Sequence, residues 1–285
     1  YYRILRYDSD NVDAKLGLFY LYKQYAPQED SVLLDSVAYG LVNEVLTKQA
    51  SNARAYYARA QYNQYVKQDY KAAIDDYLSF MYYDSDYSSV DKFYTCAYLE
   101  FQYAITAINQ WVKYCNSKER REKNKYFFIR KRAKVYENNA YYREAIDDYT
   151  EVLEDDPEGT NKLWALPSRG DCYMNLYEYQ KAIDDYTQYF ELDEEFNGYC
   201  YWKRANAYSE IAKYDEAISD FTNVIKNSDN EYLISNSYFH RGWIKEFRKD
   251  DLGALKDYTK SIEADSTSIF SYVMRGKTYQ RLNSP

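Results

Sequence analysis

Five segments of this chain read almost alike: YKAAIDDYLSFMYYDSD from Tyr70, YREAIDDYTEVLEDDPE from Tyr142, YQKAIDDYTQYFELDEE from Tyr179, YDEAISDFTNVIKNSDN from Tyr214 and DLGALKDYTKSIEADST from Asp251. A chain that repeats itself at a fixed period builds one small unit many times, and each unit buries its apolar face against its neighbours. With the alanine of the Ala-Ile or Ala-Leu step as reference, the copies stand at Ala73, Ala145, Ala182, Ala217 and Ala254. The gaps are 72, 37, 35 and 37 residues. The first gap is two periods, which predicts a hidden copy with Ala107 as its reference and another upstream at Ala38.

Around each reference the pattern is fixed. Four residues later comes a large aromatic: Tyr77, Trp111, Tyr149, Tyr186, Phe221, Tyr258. Seven and eight later come mostly apolar residues, such as Val152 and Leu153 or Val224 and Ile225. These offsets trace one face of an α-helix. An acidic residue eleven later closes the helix (Asp84, Asp156, Asp193, Asp265), and Pro157 follows one of them, where a helix has to stop. Twelve residues upstream of the reference, a small residue follows an arginine: Arg132-Ala133, Arg169-Gly170, Arg204-Ala205, Arg241-Gly242. Arg59-Ala60 is the same pair with one extra residue before its reference, and Arg275-Gly276 opens a copy that the sequence does not finish. Tyr136, Tyr173, Tyr208 and Tyr279 follow the small residue by three. A small residue facing a bulky one lets two helices approach closely, so each unit is predicted to be a helix, a short turn and a second helix.

Composition agrees. Only 8 Gly and 4 Pro accompany 39 Tyr in 285 residues. A sandwich or barrel needs a turn every 8–12 residues or so, which this supply does not allow. An aromatic share of 19% excludes general disorder. Lys and Arg total 37 against 45 Asp and Glu, a net charge of −8, which disfavours broad binding to nucleic-acid phosphates or anionic lipid. No apolar run is long enough to span a membrane. No basic stretch leading into an apolar core opens the chain, which favours the cytoplasm; the first residue is Tyr1 rather than Met, so a targeting segment ahead of it stays open. Cys96, Cys115, Cys172 and Cys200 form no CxxC pair. They are expected to be free thiols, with a disulfide or metal ligation as the alternatives; no metal or cofactor is expected.

The period, the small residue of the first helix, the Tyr and Ala of the second and the Asp-Pro close resemble the tetratricopeptide repeat. The resemblance covers nearly the whole chain. It is strong from Tyr126 to Asp265, weaker at 90–125, where the first helix is about two residues short, and at 11–52, where an insertion around Ala26–Asp30 disturbs it. It implies an all-α fold, a right-handed α-solenoid of antiparallel helix pairs, running as one superhelix over 1–285. About seven units follow a partial unit 1–10, at 11–52, 53–89, 90–125, 126–161, 162–197, 198–231 and 232–267, before a partial unit 268–285. Tyr1–Asp8 reads as the tail of a second helix and Phe270–Leu282 as a first helix without its partner. The chain is therefore expected to be a fragment, or trimmed to its ordered part. Its last helix should expose apolar surface or cover it by self-association. The regularity of the copies resembles that of bacterial members.

The arginines recur in step with an acid three residues after each reference. The pairs Arg59–Asp76, Arg132–Asp148, Arg169–Asp185, Arg204–Asp220 and Arg241–Asp257 are expected to hold register more than to add stability; phosphate binding is the alternative for these arginines. His240 is the one histidine and has no nucleophile placed beside it by any motif, so its expected role is structural or at the surface. Catalytic acids occupy unique positions, whereas these occupy repeated ones. No Gly-rich phosphate loop and no HExxH occurs. The chain is expected not to be an enzyme. Lys118–Lys134 carries nine Lys or Arg against two Glu. It reads as a solvated connection, with docking of an acidic partner or an RNA backbone as the sharper reading, and Tyr126, Phe127 and Phe128 as its helix's core face.

In the resembled family the first helices line a concave groove that holds an extended peptide or a partner's helix. Carried over position by position, the resemblance puts Tyr57, Gln61, Phe127, Arg130, Lys134, Trp164, Asp171, Tyr199, Trp202, Asn206, Phe239, Trp243, Glu246 and Phe270 on that face, with Lys277 among its polar members. Aromatics and arginine supply binding hot spots; the alternative is that some of these side chains pack between helices. The Lys/Asn/Arg clamp with which some members hold a C-terminal carboxylate is not matched, since the paired positions carry Pro167/Asp171 and Trp202/Asn206. A free acidic C-terminal tail is thus disfavoured. Pro167 suits only the first turn of a helix, which predicts a helix starting at about Ala165 with Trp164 in the turn before it. The reading is a non-enzymatic scaffold for a protein partner, a peptide or a helix, with no nucleic acid. The alternatives are an α/α-toroid carbohydrate-active enzyme, or the interaction part of a longer multidomain protein whose activity lies outside this chain.

Overall fold

The computed structural model describes residues 1–25, 31–84, 90–116, 122–155, 159, 161–193 and 195–283. Ala26–Asp30, Lys118–Arg121, Asp156 and Pro157 lie outside the described residues. All regular structure among the described residues is helical, and their contacts group into two compact units, Tyr1–Tyr141 and Tyr142–Pro285. The first holds α1 (Tyr2–Tyr7), α2 (Val12–Tyr25), α3 (Ser31–Lys48), α4 (Ala53–Tyr62), α5 (Tyr70–Tyr83), α6 (Val90–Leu99), α7 (Phe101–Asn116) and α8 (Glu122–Asn138). The second holds α9 (Tyr142–Asp155), α10 (Lys162–Asn175), α11 (Tyr179–Leu192), α12 (Gly198–Glu210), α13 (Tyr214–Asn227), α14 (Glu231–Phe247), α15 (Asp251–Ala264) and α16 (Ile269–Asn283). Within each unit, successive helices pack on one another as the hairpins of an α-solenoid.

The α10–α11 hairpin shows how the repeated residues make the fold. Ala182 and Tyr186 are fully buried on the inner face of α11. Gly170 lies beneath the tyrosine, so close that a Cβ there would stand 3.0 Å from the ring. A missing side chain in one helix thus makes room for a large ring in the other. Burial of such a ring removes roughly 150–250 Å² from water, a large apolar contribution to this hairpin. Asp84, Asp193 and Asp265 stand one residue past the ends of α5, α11 and α15.

The turns between paired helices are left-handed but hold no glycine. Gln68, Ala140, Tyr177, Ala212 and Lys249 have φ of 55°, 61°, 61°, 58° and 68°, and each stands five residues before its reference alanine. After four of these five turns the next N–H reaches back across the turn at 2.9 Å: Tyr141 to Tyr136, Glu178 to Tyr173, Lys213 to Tyr208 and Asp250 to Lys245. This is the Schellman closure, which favours glycine because a Cβ strains the αL conformation. A chain poor in glycine makes the same turn and carries that strain.

Three local readings need correction or completion. The reference alanine of the hidden copy is Ala104, not Ala107. Second helices begin three residues before the reference, and α7 begins at Phe101. Arg132 donates to Asn109 at 2.6 Å, five residues after Ala104, just as Arg169, Arg204 and Arg241 reach Thr150, Thr187 and Thr222, five after theirs. The misreading arose because residues three apart share a helix face. Ile108, not Trp111, therefore fills the aromatic position and is fully buried. The second correction concerns α10. It begins at Lys162, three residues before the expected start, and Pro167 lies inside it. The first turn forms on Asn161, whose carbonyl accepts from the N–H of Ala165 at 3.0 Å. Proline then removes only the bond that its own nitrogen would make to Leu163. Finally, the extra residue after Arg59-Ala60 is absorbed as a π turn, Asn63–Lys67, the usual form of a one-residue insertion in a helix.

Candidate functional site

Arg169 holds Asp185 with both prongs of its guanidinium: Nε donates to Oδ2 at 2.9 Å and Nη2 to Oδ1 at 2.7 Å. Arg59–Asp76, Arg204–Asp220 and Arg241–Asp257 repeat this geometry at 2.7–3.0 Å. The remaining nitrogen, Nη1, donates to Asn43, Thr150, Thr187 or Thr222 of the preceding second helix at 2.8–3.1 Å. Each arginine therefore ties its own hairpin and the previous one. Burial pushes the Asp76, Asp185 and Asp220 carboxyls up, against the pull of the guanidinium beside each. The arginines are thus already engaged, which leaves little of them for an outside phosphate. Arg132 lies in the first unit and Asp148, buried, in the second. The π turn adds Asn63 Nδ2 to Asp76 at 3.0 Å and lets Gln64 accept the Tyr77 hydroxyl at 2.7 Å.

The other predicted site residues of the second unit fall into two groups. Asn206, Phe239, Trp243, Phe270 and Lys277 line one open cleft of about 730 Å³, together with His240, Tyr214, Ile269, Val273 and Met274. Trp243 is 41% exposed and stacks on Phe247 at 6.1 Å, and Phe270 is 75% exposed, 6.3 Å from Phe239. Asn206 Nδ2 donates to the Trp202 carbonyl at 2.7 Å, which leaves its amide oxygen as an acceptor. His240 is packed face to face with Phe221 at 5.7 Å and edge-on to Phe239. Burial pushes its pKa down to about 4, so the cleft presents a neutral imidazole at pH 7. Sequence reasoning set His240 and Tyr214 aside. The signal for them was weak, since Tyr214 belongs to the periodic set and His240 stands one residue past a groove position.

The second group is tied up internally. Asp171 accepts from the Tyr186 hydroxyl at 2.6 Å and the Tyr199 hydroxyl at 2.9 Å, with Lys203 at 3.2 Å. Glu246 accepts from Tyr258 at 2.7 Å and pairs with Arg281 at 2.9 Å. Trp202 packs against the Ala205–Phe221–Ile244 core, with its Nε1 buried and without an acceptor among the described residues. Trp164 donates to Asn161 at 3.0 Å and meets Tyr149 edge-on. For Trp202 and Trp164, packing between helices accounts for much of the ring.

In the first unit, the Tyr57 ring lies 5.1 Å from Phe80 and its hydroxyl accepts from Lys92 at 2.8 Å. Gln61 is buried, Arg130 is exposed and Lys134 pairs with Glu137. Phe127 lies beneath Lys131 at 4.8 Å, whose pKa burial lowers to about 8, with Arg130 beside it. Much of the described part of the basic run is therefore engaged: Lys131 is buried, Lys134 paired and Arg132 bonded to Asn109. All four cysteines are buried free thiols.

One hairpin of the second unit belongs to a known family. Residues 199–230, spanning α12 and α13, match the sequence profile of the tetratricopeptide repeat. That hairpin is a tetratricopeptide repeat. No curated protein matches it. Among solved structures, the C-terminal part of a tetratricopeptide-repeat protein from Cytophaga hutchinsonii is 15% identical with a TM-score of 0.59, over 92% of this chain and 98% of that one. The Cut9–Hcn1 hetero-tetramer of the APC/C gives 14% identity and a TM-score of 0.51 over 96% of this chain and 50% of that one. A double mutant of MamA RS-1 gives 17% and 0.50 over 59% and 86%. At such identities the likeness is one of fold. No helix among the described residues of this repeat protein is long and apolar enough to cross a membrane.

Proposed function

We propose that this repeat protein is a non-catalytic scaffold that binds a protein segment along the first-helix face of its second unit. The observation that carries the reading is the cleft between α12, α14 and α16, where Trp243 and Phe270 present exposed rings beside the amide of Asn206 and the ammonium of Lys277. Apolar anchors flanked by a few polar groups fit a peptide side chain and its backbone. Among the described residues no three His, Cys, Asp or Glu side chains are grouped to hold a metal. Asp171 and Glu246 are satisfied by tyrosine and cationic partners, and Glu210, which also lines the cleft, is hydrogen-bonded by Tyr179, which suits positioning rather than acid–base chemistry.

Random 12-residue peptides displayed on phage and selected on the chain test this. The expected result is a family of sequences with a shared apolar anchor whose affinity falls at least tenfold for Trp243→Ala and for Phe270→Ala, with the thermal melt unchanged. Ligands that bind both variants as well as the parent would place the site elsewhere.

A further inference from the structure

The first unit holds an aromatic niche that the peptide cleft does not use. Tyr83, the last residue of α5, lines an open cavity of about 480 Å³ with Gln110, Trp111 and Tyr114 of α7. The rings stand as walls. Trp111 meets Tyr114 edge-on at 5.7 Å and 82°, and Tyr82, 4.6 Å from Trp111, meets Tyr83 edge-on at 5.0 Å and 79°. Tyr83 and Tyr114 are exposed. Other rings of this unit are covered by the chain's own cations: Lys92 lies over Tyr57 at 5.2 Å, Lys71 over Tyr103 at 5.8 Å and Lys131 over Phe127 at 4.8 Å. Among the described residues no lysine or arginine lies over Tyr83 or Trp111, and neither the Trp111 indole N–H nor the Gln110 amide is hydrogen-bonded.

We propose that this niche binds the trimethylammonium group of a small compound of the choline or betaine type. Such a cation has no N–H to donate, so its recognition comes from the faces of several aromatic rings rather than from hydrogen bonds. Rings set at right angles offer those faces on more than one side. The helix ends add to the attraction, because the last turn of a helix carries partial negative charge. Tyr83 closes α5, and Tyr114 stands two residues before the end of α7 at Asn116. That field, with a net charge of −8 on the chain, favours a cation over a neutral sugar. The indole N–H of Trp111 and the amide of Gln110 are donors for the oxygen of the compound's tail. The niche shares no lining residue with the cleft of α12, α14 and α16.

Calorimetric titration of the whole chain with choline is expected to show saturable binding. Dimethylbutanol of the same shape, with carbon in place of the charged nitrogen, should bind at least tenfold more weakly. Tyr83→Leu and Tyr114→Leu should each weaken choline at least tenfold. Tyr83→Phe, which keeps the ring, should bind as the parent does, and Trp243→Ala should change nothing. The comparison of choline with its neutral analogue is made on the parent chain, so it decides the matter even where a leucine variant fails to fold. No binding of choline, equal binding of the neutral analogue, or binding of maltose in place of choline overturns the proposal. A trimethyl-lysine peptide or phosphatidylcholine vesicles that bind at least tenfold more tightly than choline would assign the niche to a protein or a membrane and overturn the small-molecule assignment.

Discussion

The α6–α7 and α10–α11 hairpins solve the same packing problem with different parts. In α10–α11 a bidentate ion pair joins the helices, an αL turn at Tyr177 connects them, and a tyrosine over a glycine fills the gap. In α6–α7 there is no arginine in the first helix, Ala107 stands where the aspartate would be, and Glu100 alone connects the helices. Aromatic packing against the neighbouring helices takes over: Trp111 of α7 lies 4.6 Å from Tyr82 of α5 and stacks on Phe128 of α8 at 5.4 Å, and Phe93 of α6 is fully buried. Both members of the clamp are missing together. That is what burial energetics require, because a buried charge that keeps its partner can be roughly neutral while a buried charge without one is strongly destabilising. The clamp is thus a register device that a unit can lack, provided it lacks both halves.

The largest effect should come from breaking only one half. Arg169→Leu leaves Asp185 buried and uncompensated and is expected to lower stability by about 3–5 kcal/mol in urea unfolding. Arg169→Leu with Asp185→Leu imitates α6–α7 and should recover to within about 1 kcal/mol of the parent. A double variant as unstable as the single one would mean that the pair contributes far more than charge balance.

An acid titration should separate the two compact units, because the sole histidine of the chain lies in the second. Burial lowers the His240 pKa to about 4, so the unfolded chain binds the proton more readily than the folded one. The stability that depends on this site is complete above about pH 6.5 and is lost as pH falls towards 4, by up to about 3 kcal/mol. His240→Phe should therefore lose less between pH 7 and 4.5 than the parent does. Equal losses in both chains would remove His240 from the account.

The smallest effect concerns the connections. Ala212→Gly relieves an αL alanine at φ 58° and should add about 1 kcal/mol. Glu100→Gly, in a connection without a left-handed residue, should lose a similar amount. A gain at both positions, measured as a shift of the thermal midpoint, would contradict the assigned turn geometry.

Much of the fold was legible because its causes are repeated. The Ala, the aromatic four residues later and the Arg–small pair are written several times over, and each copy corrects the reading of the others. What was misread lies where the repetition fails. Ala104 and Ala107 share a helix face, so periodicity alone does not choose between them; the start of α7 and the Arg132–Asn109 bond do. The left-handed turns left no trace, because Gln68, Ala140, Tyr177, Ala212 and Lys249 have nothing in common as side chains. Position along the helix put Phe239, Trp243 and Phe270 on one expected face, and the structure brings them to one cleft. Whether a ring points outward, as Trp243 does, or is folded into the core, as Trp202 is, depends on neighbours in three dimensions. The rescue of Asp171 by Tyr186 and Tyr199 depends on two different hairpins and has no local signature.

The central claim is that the outward-facing aromatics of α14 and α16 capture a protein segment. A chain in which Trp111, Trp164 and Trp202 are changed to Phe keeps Trp243 as its only indole, and the emission of that indole reports directly on the cleft. Titration with a phage-selected peptide should give a saturable blue shift that Phe270→Ala weakens, while a panel of oligosaccharides gives none. An emission that stays unchanged with peptide, or that shifts with sugar instead, would contradict the account.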